Sequence, residues 1–113
     1  MAILSTKIPT ITVTQEQVAF FRREGYLSIE RITTQEEVDW MREVYDRLFQ
    51  SRAGRERGDQ FDLAGADEEG KQASLPQILG PVKYAPELAD TLYRANAHAI
   101  CLQLLGHTCV AGG

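Results

Sequence analysis

The side chains best suited to hold a metal ion crowd into one stretch, HAICLQLLGHTC, which carries His98, Cys101, His107 and Cys109. Two cysteines and two histidines are donor types that tetrahedral zinc takes. Their spacing does not serve it, because no C-x-x-C-like knuckle is present and the four donors would have to wrap around a helix end. The plainer reading is a small buried thiol at Cys101, a histidine at the rim at His98, and a solvated tail beyond. Asp67, Glu68 and Glu69 form an acidic knot that reads as a solvated charge run rather than a cation site. No glycine-rich phosphate loop, G-x-S-x-G elbow or H-E-x-x-H pair occurs. The residues by themselves therefore nominate no catalytic group, no cofactor-binding group and no metal ligand.

The elements that would position any site are mainly helical. VTQEQVAFFRREGY has the grammar of a helix start: Thr14 caps, Gln17 reaches back from the third helical position, and Val13 staples onto Val18. Gly25 supplies the left-handed stop, so this helix covers about residues 15–24. TTQEEVDWMREVYDRLFQ repeats the grammar with Thr34 and Glu37 as a second capping box, and runs to about Ser51. Val38, Met41, Tyr45 and Leu48 make one apolar stripe along it, widened by Trp40, Val44 and Phe49. APELADTLYRANAHAICLQLLG places Pro86 in the first turn of a third, longer helix that Gly106 ends. That helix is apolar on two sides, and such a helix is normally covered on two sides.

The expected fold class is mainly α: three principal helices with one or two short β-strands near the N-terminus, in a single helical domain spanning 1–113. The alternation in residues 1–13 suits a short edge strand, because Pro9 excludes a central one, and YLSIE suits another. Residues 53–74 lack periodicity and read as a long flexible loop, although QFDLAG within it is more apolar than a linker requires. LPQILGP reads as a short helical turn between Pro76 and Pro81.

With 43% apolar and 25% charged residues, the composition is that of a globular domain. A net charge of -4 gives no footprint for nucleic acid. No apolar run is long enough to span a membrane, and the start lacks the features of a signal peptide. Two cysteines without a framework fit a reducing, cytoplasmic setting.

Taken together, FFRREGYLSIERITTQEEVDWMREVYDRLF, FDLAG, LPQILGP and YAPELADTLYRANAHAICLQLLG resemble the helical lead-in of the phytanoyl-CoA dioxygenase family. The resemblance covers about residues 12–106 and rests on structural motifs such as Gly25-Tyr26 and the Thr-x-x-Glu helix start. It implies an Fe(II)/2-oxoglutarate-dependent oxygenase fold, in which such helices pack outside a double-stranded β-helix. That β-helix carries iron on an H-x-D/E…H triad, which leaves three positions open for cosubstrate and dioxygen. Here Ile100 stands two residues after His98, and Cys109 two after His107, so neither histidine begins the triad. The expectation is a fragment cut before the iron-binding motif and catalytically silent alone. Fe(II) and 2-oxoglutarate are implied only for the complete family domain.

On that resemblance Phe61, Asp62, Leu63 and Gln77 would be the remnant of a pocket lining. The alternative is a stand-alone, self-associating helical interaction module. Either way the apolar helix faces call for a homodimer or a covering partner. Leu92, Ala95, Ala99, Leu102 and Leu105 are the expected contacts, with Trp40 and Val44 nearby.

Overall fold

Thr14 opens the first helix by the predicted means. Its hydroxyl accepts from Gln17 N at 3.1 Å, while Thr14 N donates to Gln17 Oε1 at 2.9 Å. Gly25 closes the helix with φ of 83°, a left-handed conformation that costs a residue without Cβ nothing. The computed structural model describes residues 5–65 and 74–106. Among them α1 is Gln15–Glu24, α2 Gln35–Gln50, β1 Gln60–Asp62, β2 Pro76–Ile78 and α3 Leu92–Leu105, with short 3-10 turns at Arg55–Arg57, Pro81–Lys83 and Pro86–Ala89. The described residues are mainly helical with a couple of short strands, as expected, and those strands form a small antiparallel sheet. The strands stand elsewhere than expected, however. Residues 5–13 and 26–29 form no strand, and the hairpin comes from 60–62 and 76–78 instead. LPQILGP accordingly holds a strand, with the tight turn following at Pro81.

The chain divides into two compact units, Met1–Val38 with Ala89–Gly113, and Asp39–Leu88. In the second unit the predicted stripe of α2 does the packing. Val44 and Leu48 are buried with Ala85 and Leu88, and Trp40, Met41, Tyr45 and Ile78 close over them. The carbonyls at the end of α2 are satisfied locally. Leu48 O accepts from Ala53 N and from the buried side chain of Gln60, which also donates to Ala53 O.

The first unit is held by polar side chains more than by a large apolar core. Its buried residues among those described are Val13, Ala89 and Ala95 together with Thr91 and Asn96, both 0% exposed. Asn96 Oδ1 accepts from Thr10 N at 2.7 Å and Ile11 N at 3.2 Å. Its Nδ2 donates to Ile32 O at 2.6 Å and Thr10 Oγ1 at 3.1 Å. An amide has two good acceptor directions and two donors, so every bond Asn96 can make is made, which is what permits its full burial.

Two features expected at the helix starts differ. The third helix does not begin at Pro86. Pro86–Ala89 is a 3-10 turn, and Thr91 caps a separate helix by accepting from Arg94 N at 3.1 Å. The second capping box is also only half formed. Thr34 Oγ1 accepts from Glu37 N, but the Glu37 carboxylate accepts from the Thr33 hydroxyl and from Leu92 N and Tyr93 N at the start of α3. With Thr91 serving the third position, the first three N–H groups of α3 all have partners, and a negative charge sits where the helix dipole favours it.

Burial opposes ionisation of Glu37, yet the bonds from Thr33, Tyr93 and Leu92 outweigh it and hold the carboxyl below its ordinary 4.5. A lowered pKa means that the ionised form stabilises the fold. This contribution is complete above the ordinary value and disappears as pH falls through the lowered one. Urea midpoints measured between pH 6 and pH 3 should therefore drop on acidification, and less steeply for Glu37→Gln. Equal slopes for the two chains would count against the bridge. Asn96→Leu should cost roughly 1–3 kcal/mol in the same titration, because it strands the amides of Thr10 and Ile11 and the carbonyl of Ile32. An unchanged midpoint would refute that assignment.

Candidate functional site

Three of the four residues expected to line a pocket come together on the hairpin. Gln60 pairs with Ile78, Phe61 with Gln77 and Asp62 with Pro76, so Phe61 and Gln77 are direct cross-strand neighbours. Leu63 follows β1 and is 53% exposed, and Leu75 and Leu79 beside β2 are similarly bare. Asp62 is turned to another use. Its carboxylate accepts from Ala64 N, Ser74 N and Leu75 N at 2.9–3.0 Å, and Leu63 N donates to Leu75 O. Those backbone bonds, Ala64's first, hold the Asp62 carboxyl below its ordinary value. A carboxylate committed to three amides is a poor base and has little capacity left for a metal. It clasps the two ends of the loop that joins the strands.

A second polar group in this unit surrounds Gly54. The Tyr84 hydroxyl donates to Asp59, whose carboxylate also lies 3.6 Å from Lys83 Nζ. A Cβ at Gly54 would stand 2.7 Å from the Tyr84 ring, and φ there is 80°, so only glycine lets the ring lie across this backbone. The bond from Tyr84 lowers the pKa of Asp59, and the bond to Asp59 raises that of Tyr84. The acid is held ionised and the phenol protonated, which is the reverse of an activated nucleophile or general acid. This group is a latch between the turn at Arg55–Arg57 and the turn at Pro81–Lys83.

In the first unit, Val13, Val18 and Ala19 floor an open groove of about 650 Å³ rimmed by Gln15, Arg22 and Arg23. Arg23 is tied to Glu24 at 3.0 Å and lies over the Phe20 ring. Among the described residues that line this groove there is no acid, thiol or imidazole.

The expected contact residues separate. Leu102 and Leu105 on α3 are 39% and 53% exposed, Leu92 and Ala99 are half-buried, and Ala95 is buried. Val44 is 2% exposed in the core of the second unit, with Trp40 packed against that core. Val44 and Ala95 are thus buried within the chain, unlike the exposed Leu102 and Leu105. Of the four metal-type side chains, His98 and Cys101 are half-buried on α3, while His107 and Cys109 lie outside the described residues, as do Asp67, Glu68 and Glu69. Among the described residues no three His, Cys, Asp or Glu side chains stand together to hold a metal ion, and no helix is long and apolar enough to cross a membrane.

No protein-family model, no curated protein and no solved structure matches this chain. The site therefore has to be read from its own chemistry. Sequence reasoning missed Asp59, Tyr84 and Gln60, and the one signal available was the unusual run of glycines at 54 and 58, which marks backbone in left-handed conformations.

The clasp at Asp62 is directly testable. Asp62→Ala should raise the hydrogen-exchange rates of Ala64 and Leu75 by about an order of magnitude, leaving α2 unaffected. Unchanged rates would mean that strand pairing alone holds the loop ends.

Proposed function

We propose that the chain is a non-catalytic helical packing element: the lead-in of a phytanoyl-CoA dioxygenase-like fold, with iron and 2-oxoglutarate held by a β-helix that these residues do not form. The observation that carries the reading is α3. It buries only Ala95 and Asn96 among the described residues, and on one side it leaves Leu102 and Leu105, three residues apart, 39% and 53% exposed. Such a face fits against a sheet. The resemblance over residues 12–106 names which sheet, and the committed states of Asp62, Asp59 and Tyr84 accord with an absence of chemistry in the helical part. A cytoplasmic setting goes with this reading, in keeping with the free thiol of Cys101.

The same face supports a second reading, a self-associating module. Covering the exposed parts of Leu102 and Leu105 is worth about 1–3 kcal/mol per copy, doubled in a two-fold pair. Association of two free molecules costs about 4–15 kcal/mol in lost freedom. The cost is at least as large as the gain, so a homodimer through this face alone is weak. A sheet tethered in the same domain meets no such cost, which favours the first reading.

Two measurements test the proposal. Incubated with Fe(II) and 2-oxoglutarate, the chain should form no succinate, and stoichiometric succinate would overturn the non-catalytic assignment. By sedimentation, self-association should appear only in the upper micromolar range and vanish in the Leu102→Glu, Leu105→Glu double variant. A tight dimer would establish the module instead, and a double variant that associates like the parent would remove α3 from both readings.

A further inference from the structure

α1 is thinly packed. It has ten residues, and a helix that short is marginal in water unless tertiary packing supports it. None of its residues is buried, and Val18, Phe20 and Phe21 are only half-covered. Its start is what holds it. Thr14 and Gln17 close the capping box, and Val13 N, just ahead of the helix, donates to Gln103 Oε1 of α3 at 2.8 Å. The first turn is therefore fixed, while one flank of the helix stays uncovered.

That flank is ordered along its length. Gln15, Val18, Ala19 and Arg22 follow at helical spacing and form one stripe, with the buried Val13 at its foot. They line the open groove of about 650 Å³, a volume within the range of small-molecule sites. Its floor is apolar, an amide stands at one end and a guanidinium at the other. From Gln15 to Arg22 the helix rises about 10 Å, the length of an extended chain of about eight carbons.

The positive charge at the far end is free. Arg23 is paired with Glu24 at 3.0 Å and lies over the Phe20 ring. Arg22 is exposed, and among the described residues no acceptor stands against it. No carboxylate lines the groove among those residues either, so nothing there repels an anion. A guanidinium takes a carboxylate through two parallel hydrogen bonds, and an apolar wall beside it shields them from water. The dipole of α1 opposes an anion at this end, and the two arginines of its last turn counter it.

We propose that this flank of α1 is a binding site for an apolar small molecule about 10 Å long that ends in a carboxylate. The carboxylate pairs with Arg22, and the apolar body covers Val13, Val18 and Ala19 as far as Gln15. Occupancy supplies the packing that α1 lacks, so it also stabilises the helix by linkage. The site shares no residue with the exposed face of α3 and stands whichever reading of that face holds.

The test uses the full, uniformly labelled chain with sodium octanoate as the probe. Octanoate should shift the NMR signals of Val13, Val18, Ala19 and the Arg22 Nε–H saturably, with a Kd in about the millimolar range, and slow hydrogen exchange in α1. Acetate has the head without the tail, and octyltrimethylammonium has the tail with the opposite charge. Each should bind at least about fivefold more weakly. Arg22→Gln removes the cation and Ala19→Glu sets an acid in the floor, both at exposed positions, and each should weaken octanoate binding by about that factor. Shifts that never saturate, or that octyltrimethylammonium reproduces at equal concentration, overturn the proposal. So does either variant binding octanoate as the parent does. The comparison of probes on the parent chain decides alone should a variant lose its fold.

Discussion

The carboxamide of Asn96 joins three segments far apart in sequence: the N-terminal strap at Thr10 and Ile11, the turn at Ile32, and α3 itself. All four of its bonds are made and none of its surface meets solvent. A buried amide of this kind is favourable only when complete, because each missing partner leaves a desolvated polar group. The strap and the turn before α2 must therefore arrive in one geometry. Among its described residues the unit has little apolar burial to enforce that geometry otherwise, with only Val13, Ala89 and Ala95 buried among the apolar ones.

Glu37 continues the same logic. By leaving its own helix and taking the amides of Leu92 and Tyr93, it fixes the start of α3 relative to the start of α2. Gln103 and Asp90 then extend the hold on the strap in both directions from Asn96. Side chains serving backbone groups is also the theme of the second unit, where Gln60 closes the end of α2 and Asp62 closes the hairpin loop. The polar residues of both units are thereby spent on architecture.

What was legible in the sequence was local. The box of Thr14 and Gln17 and the stop at Gly25 each involve partners within four residues, and they stand as read. The stripe of α2 was legible because Val44 and Leu48 repeat with the helical period. What was not legible depends on partners distant in sequence. Glu37 satisfies the local pattern of a capping box, yet Leu92 N and Tyr93 N, 55 and 56 residues on, win its carboxylate. Asn96 reads as an indifferent polar residue in an alanine-rich helix, and nothing nearby hints at Thr10 or Ile32. Pro86 suits a helix start as well as it suits the 3-10 turn it occupies, and Thr91 decides the matter by capping α3 five residues later. The hairpin escaped notice because its strands are three residues each, too short for a period to show.

The account turns on the bond between the strap and Asn96, and that bond can be observed by itself. In solution NMR on the uniformly labelled chain, a scalar coupling across the hydrogen bond should connect the Thr10 amide nitrogen to the Asn96 side-chain carbonyl carbon, as expected for a contact of 2.7 Å. The account predicts that cross-peak, together with a Thr10 amide shift distinct from that of a free peptide of residues 5–13. No cross-peak, with a Thr10 amide resonating where the free peptide does, would contradict it.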